Sequence, residues 1–220
     1  MHAIHTTPGL IIDSRSYGEA DKMLSILTRD FGLVTVVAQG IRLERSKLRY
    51  FAQDRSFGLY SLVRGKELWR LTSAQPLEPG LSLAGSELFA RVAMLLKRLL
   101  QGEDPNPDLY DEIEAAARFM ATARFVTTSP HGSVAIPKGS GADAGGNDAP
   151  PTPMPTAHAQ AFESVIVLRI LDALGYIGDD PSLKGFLGST PYSADMLGQA
   201  ARSLKAINAH INKALKESHL

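Results

Sequence analysis

The stretch SFGLYSLVRGKELWRLTSA, residues 56–74, contains two strand-like segments on either side of a short polar turn. In the second segment Trp69 and Leu71 alternate with Leu68 and Arg70, which is the period-two pattern of a half-buried strand. The turn between the two segments is short and contains a glycine, as hairpin turns commonly do. The stretch therefore predicts a β-hairpin.

Three more strand-like segments precede this hairpin, at residues 9–15, 21–28 and 33–38. The last two are joined by the short glycine-containing connection RDFG, residues 29–32, which is typical of another hairpin. A helix over residues 21–28 is the alternative, because periodicity cannot decide so short an apolar run. Five short strands within the first 80 residues predict a small closed antiparallel barrel, and an oligonucleotide-binding (OB) barrel fits this strand count.

Helical spacing of apolar residues begins after the hairpin. It predicts four helices, at residues 83–100, 108–126, 162–174 and 193–216. Gly175 suits a left-handed helix cap and Ser193 suits an N-cap. Residues 127–156 contain little apolar bulk and many glycines and prolines, which predicts a flexible linker. The prediction is an α+β protein with an OB domain over residues 1–80 and a helical domain over residues 81–220, interrupted by this linker.

Composition limits the classes of function. The chain has 220 residues, a formal net charge of zero and no cysteine. A nucleic-acid surface would therefore be a local patch, and disulfides and thiolate metal sites are excluded. The N-terminus lacks a signal-peptide pattern, and no apolar run is long enough to span a bilayer, so we expect a soluble cytoplasmic protein.

Several common sequence signatures of catalysis do not occur in this chain. No histidine forms a metal-ligand pair with a nearby carboxylate, and there is no His-Glu-x-x-His or Gly-x-Ser-x-Gly motif. The Gly-rich run in the linker lacks the closing Lys-Ser or Lys-Thr of a phosphate-binding loop. We expect no enzymatic activity, no cofactor and no metal.

The segment GIRLERSKLRYF, residues 40–51, places four cations next to two aromatic side chains. These cations are Arg42, Arg45, Lys47 and Arg49. One interpretation is a solvated loop, and the other is a phosphate-binding loop whose aromatic residues stack on bases. Further predicted DNA contacts are Arg64 and Lys66 at the hairpin turn, together with Lys22, Arg15 and Tyr50.

Two other features have a structural interpretation as well as a functional one. We interpret Trp69 as a packing residue of the barrel rather than as a platform for bases. The last predicted helix has a basic polar side, which either is solvated or takes part in binding. Its cations are Arg202, Lys205, Lys213 and Lys216.

Several of these segments, in this order and spacing, resemble the bacterial recombination mediator RecO family. They are YGEADK at residues 17–22 followed by LT and FG, VAQGIR at 37–42 running into RSKLR at 45–49, LRILDALGY at 168–176 and, more weakly, NKALKES at 212–218. Many members of that family carry a four-cysteine zinc site, which a chain without cysteine cannot hold. The Gly/Pro-rich insertion is also atypical of the family.

The resemblance implies a nucleoid-associated, non-enzymatic DNA-repair protein of the RecFOR pathway. Such a protein binds single- and double-stranded DNA, anneals complementary strands, and helps to load RecA onto DNA coated with single-strand binding protein. The implied partners are RecR, in some settings RecF, RecA, and the C-terminal tail of the single-strand binding protein. The alternative is a protein-interaction adaptor in which the OB barrel is only structural and the helices bind peptides or partner subunits.

Overall fold

The computed structural model describes residues 3–77, 87–123, 156–188 and 190–217. The strands are β1 (Ile4–Tyr17), β2 (Asp21–Thr28), β3 (Gly32–Ala38), β4 (Phe57–Arg64) and β5 (Trp69–Pro76). The helices are the one-turn α1 (Leu48–Phe51) and the longer α2 (Glu87–Leu99), α3 (Pro107–Ala123), α4 (Thr156–Ala173) and α5 (Ala194–Glu217). A β-rich N-terminal part is thus followed by a helical part.

The five strands form a closed barrel in the order β1-β2-β3-β5-β4. Strand β1 closes it by pairing with β4 through residues 4–10 and with β2 through residues 9–17. A register shift between Ile11 and Asp13 marks an irregularity of the bulge type, which bends a strand and lets it serve two neighbours. A five-stranded barrel of this kind, followed by helices, confirms the predicted α+β class and the OB fold.

Three sequence-based expectations need correction. The barrel is not wholly antiparallel, because β3 and β5 pair in parallel at Val36–Trp69 and Val37–Arg70. The alternative helix over residues 21–28 is wrong, since that segment pairs with both β1 and β3. The basic segment is not all loop, because α1 forms within it.

The helices agree with the predicted spacing where the structure describes them. At the end of α4, Gly175 has a φ of +76°, and the amide of Tyr176 donates to the carbonyl oxygen of Leu171 at 2.8 Å, as in a left-handed cap. Ser193 accepts the amide of Met196 through Oγ and caps α5. The predicted linker lies outside the described residues except for Thr156, which begins α4. The predicted domain boundary stays a prediction.

Two hydrophobic clusters stabilise the molecule. One fills the barrel and contains Tyr60, Leu62 and Trp69. The other joins all four long helices and also includes barrel-wall residues such as Leu10 and Phe57. The helices therefore pack against the outer wall of the barrel.

Polar contacts add to this packing. Arg29 in the β2–β3 turn makes two hydrogen bonds with the carboxylate of Asp111 on α3, at 2.7 and 2.9 Å. The guanidinium holds the pKa of the Asp111 carboxyl below its ordinary value. The segment between α2 and α3 also contacts the barrel, because the amide of Leu33 donates to the carbonyl oxygen of Gly102 at 3.2 Å.

Candidate nucleic-acid interface

The loop between β3 and β4 lies over one end of the barrel and is anchored there by apolar residues. Ile41 and Ala52 are buried in the barrel cluster, and Leu48 packs against it. The carboxylate of Asp21 accepts the amide of Gly40 at 2.7 Å. With Ile41, Leu48 and Ala52 turned inward, the loop presents its charged side chains to solvent.

A groove of about 500 Å³ lies between this loop and the start of β2. The cations that line it are Lys22, Arg42, Arg49 and Arg55, and the carboxylate among its lining residues is Asp54. Arg42 is held in place by its amide, which donates to the carbonyl oxygen of Ala20 at 2.9 Å, and by its Nη1, which donates to that of Gly18 at 3.3 Å. The groove therefore has the charge and shape to receive phosphate oxygens.

The other two cations of the loop, Arg45 and Lys47, are exposed but do not line this groove. The segment from residue 40 to residue 55 contains five cations and two carboxylates, so it is positive although the whole chain is neutral. This excess concentrates the attraction for an anion at one end of the barrel.

Two aromatic side chains stand beside the groove. Tyr50 is 62% exposed and Phe51 is 42% exposed, which is unusual for residues of this size. The guanidinium carbon of Arg49 lies 5.1 Å from the centre of the Tyr50 ring. Exposed rings next to a cationic groove are the arrangement that binds unpaired bases without reading their sequence.

The β4–β5 hairpin carries the remaining predicted cations, and one of them is already engaged. Arg64 forms an ion pair with Glu103 at 3.0 Å and lies 5.5 Å from the ring centre of Trp69. Lys66 is exposed at the hairpin turn. Arg15, on β1, donates to the sulfur of Met23 at 3.0 Å and is not among the residues that line the loop groove.

Trp69 is 2% exposed, and its Nε1 donates to Oε1 of Glu103 at 2.8 Å. The interpretation of this residue as part of the barrel packing is confirmed. Glu103, on the segment between α2 and α3, thus holds both Trp69 and Arg64 with its two carboxylate oxygens.

The sequence-based set missed three residues near these surfaces. Arg55 lines the loop groove from a left-handed backbone conformation, with a φ of +61°, that no sequence pattern announces. Tyr17 and Arg70 join Arg64 around a second groove of about 280 Å³ on the outer face of the barrel. The exposure of Arg70 could have been predicted, because the alternation of the strand places it on the face opposite Trp69 and Leu71.

Among the described residues, no group of three or more histidine, cysteine or acidic side chains is placed to hold a metal ion. No described helix is long and apolar enough to cross a membrane.

The sequence of this chain is similar to known proteins, and the similar region includes the five-stranded barrel. Residues 1–79 match the model of a family described as "Recombination protein O N terminal". A DNA repair protein RecO from Heliobacterium modesticaldum is 38% identical over 103 residues, which cover 47% of this chain and 38% of that protein. A DNA repair protein RecO from Gloeothece citriformis is 32% identical over 141 residues, which cover 62% of this chain and 50% of that protein.

The matched stretches thus span half of these relatives' lengths or less. The family match falls on the five-stranded barrel and includes the loop that carries the cationic groove. The chain is therefore similar to RecO DNA repair proteins, and this similarity includes a match of its residues 1–79 to the model of the RecO N-terminal family.

Proposed function

We propose that this chain is a DNA repair and recombination mediator that works by binding DNA rather than by breaking bonds. The observation that carries the proposal is the groove in which Lys22, Arg42, Arg49 and Arg55 converge beside the exposed rings of Tyr50 and Phe51. The names of the related proteins support the repair role. The proposal requires no cofactor and no metal.

In the proposed mode of binding, phosphate oxygens occupy the cationic groove and unpaired bases stack on the two rings. Contacts of this kind do not depend on sequence, because every nucleotide has a phosphate and every base has an aromatic face. Arg45, Lys47 and Lys66 lie outside the groove and extend the positive surface, so double-stranded DNA is also bound through its backbone.

The same surface accounts physically for strand annealing. Two single strands repel each other through their phosphates, and cations that contact both strands reduce that repulsion. We propose that annealing takes place at the loop between β3 and β4. By resemblance to the RecO family, RecR, RecF, RecA and the tail of the single-strand binding protein are the proposed partners.

The experiment that tests this function measures the fluorescence anisotropy of a labelled oligothymidine as the full chain is added. We expect binding whose affinity falls steeply between about 50 and 200 mM salt, because counterions released from the phosphates oppose binding as salt rises. Absence of binding at the lowest salt would contradict DNA binding and favour the adaptor alternative.

The ion pair between Glu103 and Arg64 leads to a separate prediction. Glu103 neutralises a cation that would otherwise attract phosphate. We therefore expect Glu103→Gln to raise oligothymidine affinity about two- to threefold, which corresponds to the free energy of an exposed ion pair. Gln retains an oxygen that can accept the Trp69 Nε1 hydrogen bond.

The control for this prediction is the same substitution in an Arg64→Gln background, where it should leave the affinity unchanged. An equal gain with and without Arg64 would show that Glu103 acts through general charge and not through this pair.

A further inference from the structure

A cavity of about 890 Å³ lies in the helical part, away from the loop groove. Its walls are α3 from Asp108 to Phe119, the C-terminal end of α4, and the segment that precedes α5. Nothing in the proposed DNA binding uses this cavity, so its chemistry can be considered independently.

One wall of the cavity is aromatic and apolar. Phe119 and Tyr192 stack with their ring centres 5.5 Å apart and their planes at 28°. Ala115 and Pro191 extend this wall. A surface of this kind packs well against the aliphatic stem of a long side chain. The charges around the cavity then determine which charged end group such a side chain should carry.

The buried arginine of the cavity is already satisfied. Arg169 is 3% exposed and donates to the carbonyl oxygens of Phe186 at 2.6 Å and Thr190 at 2.7 Å. Its Nη1 also pairs with the carboxylate of Glu112 at 3.2 Å. Its charge is therefore neutralised within the protein and is not available to an incoming carboxylate.

The other ion pairs around the cavity are also internal. Arg118 pairs with Glu114, and Asp111 pairs with Arg29. Two carboxylates on the cavity wall, Asp108 and Asp172, form no direct ion pair among the described residues, and Arg29 and Arg169 act on them only from a longer distance. Partial burial raises the pKa of the Asp172 carboxyl, an effect that the neighbouring Arg169 only reduces. Four carboxylates and two guanidinium groups line the cavity, so the charge of its lining is negative.

The guanidinium of Arg169 lies over the Tyr192 ring at 4.5 Å and Phe119 stacks on the same ring, so the exposed apolar residues of this wall are Ala115 and Pro191. We propose that this cavity binds a basic segment of a partner protein, with a lysine or arginine stem packed on Ala115, Pro191 and the edges of the Phe119 and Tyr192 rings and its cation paired with Asp172 and Asp108. The occupant follows from charge complementarity, because a cation is attracted by the excess of carboxylates over guanidinium groups in the cavity lining. An acidic tail, in contrast, would bring its carboxylates next to Asp172 with no free guanidinium to receive them. The cavity is thus specific for basic over acidic peptides.

The test uses the full chain and two fluorescein-labelled peptides, one of alternating Leu and Arg and one in which every Arg is replaced by Glu. We expect the basic peptide to bind and the acidic peptide to bind more weakly. The double variant Asp108→Asn/Asp172→Asn should weaken the basic peptide by about tenfold, as expected when a close charge pair is removed from a partly buried site.

The matched control is Asp179→Asn, because that carboxylate is 85% exposed and lies outside the cavity. It should leave basic-peptide affinity unchanged.

The raised pKa of Asp172 means that its charged form is disfavoured by folding, so the Asp172→Asn single variant should melt no lower than the wild type at neutral pH.

Equal loss in the control and the double variant, or tighter binding of the acidic peptide, would overturn the proposal. The DNA-binding proposal would be unaffected by either result, because it rests on the loop between β3 and β4.

Discussion

The variant in which Arg42, Arg45, Lys47 and Arg49 are all replaced by Gln should bind oligothymidine roughly a hundredfold more weakly than the wild type at about 0.1 M salt. Two of these side chains line the groove and two extend its positive surface. Each is exposed, so its loss removes a contact with phosphate without removing packing. The anchoring residues Ile41 and Ala52 are unchanged, so the fold of the loop should be retained.

The control for this variant removes four cations from another surface. Arg202, Lys205, Lys213 and Lys216 on α5 are exposed, and replacing them with Gln changes the net charge by the same amount. We expect this second variant to lose no more than about threefold in affinity, because exposed charges beyond about 10 Å are largely screened at this salt. Similar losses in the two variants would show that DNA responds to overall charge and not to the groove.

The second large effect concerns stability. Gly32→Ala should lower the free energy of unfolding by about 3 kcal/mol and the melting temperature by roughly 6–12 °C. Gly32 has a φ of +70°, which disfavours any residue with a Cβ. That Cβ would also lie 2.3 Å from the carbonyl oxygen of Asp104 and 2.6 Å from its carbonyl carbon. The segment between α2 and α3 would have to move away from the barrel, and the hydrogen bond from the Leu33 amide to the Gly102 carbonyl oxygen would break.

Gly18→Ala provides the matched comparison. Gly18 has a similar φ of +65°, but an added Cβ there meets nothing within 4 Å. The Gly18→Ala substitution should lower the free energy of unfolding only by the backbone strain, about 1 kcal/mol. Thermal melting of both variants separates the two contributions. Equal melting temperatures would mean that the contact between Gly32 and Asp104 does not hold the barrel against the helical part.

Local patterns in the sequence predict much of the fold because the forces that produce them are local. The alternation of Trp69 and Leu71 with Arg70 predicts β5, and the glycine-containing turns predict the hairpins. The N-cap at Ser193 and the left-handed cap at Gly175 are likewise readable from residue type and spacing.

The features that escaped prediction depend on residues far apart in the chain. The parallel pairing of β3 with β5 depends on how the barrel closes and not on the pattern of either strand. The engagement of Arg64 and Trp69 by Glu103 joins segments that are separated by more than thirty residues. The left-handed conformation of Arg55, which joins Arg42 and Arg49 as the third loop cation lining the groove, is imposed by its surroundings.

For the candidate site, the sequence predicts which cations gather in one short loop but not how they divide between surfaces. Arg42 and Arg49 share the groove with Lys22, whose position in β2 is adjacent only because β2 pairs with β3. Arg45 and Lys47 belong to the same run of cations but lie outside that groove. The assignment of all these residues to DNA contact stays a proposal.

The most direct test of this account is the slope of log affinity against log salt concentration for wild type and for the variant without Arg42, Arg45, Lys47 and Arg49. Each phosphate contact with a single strand contributes about 0.7 to the slope, so loss of four contacts should reduce it by about 3. Such a reduction, absent from the α5 variant, would establish the loop as the surface that neutralises phosphate. Equal slopes for the wild type and the loop variant would contradict the account.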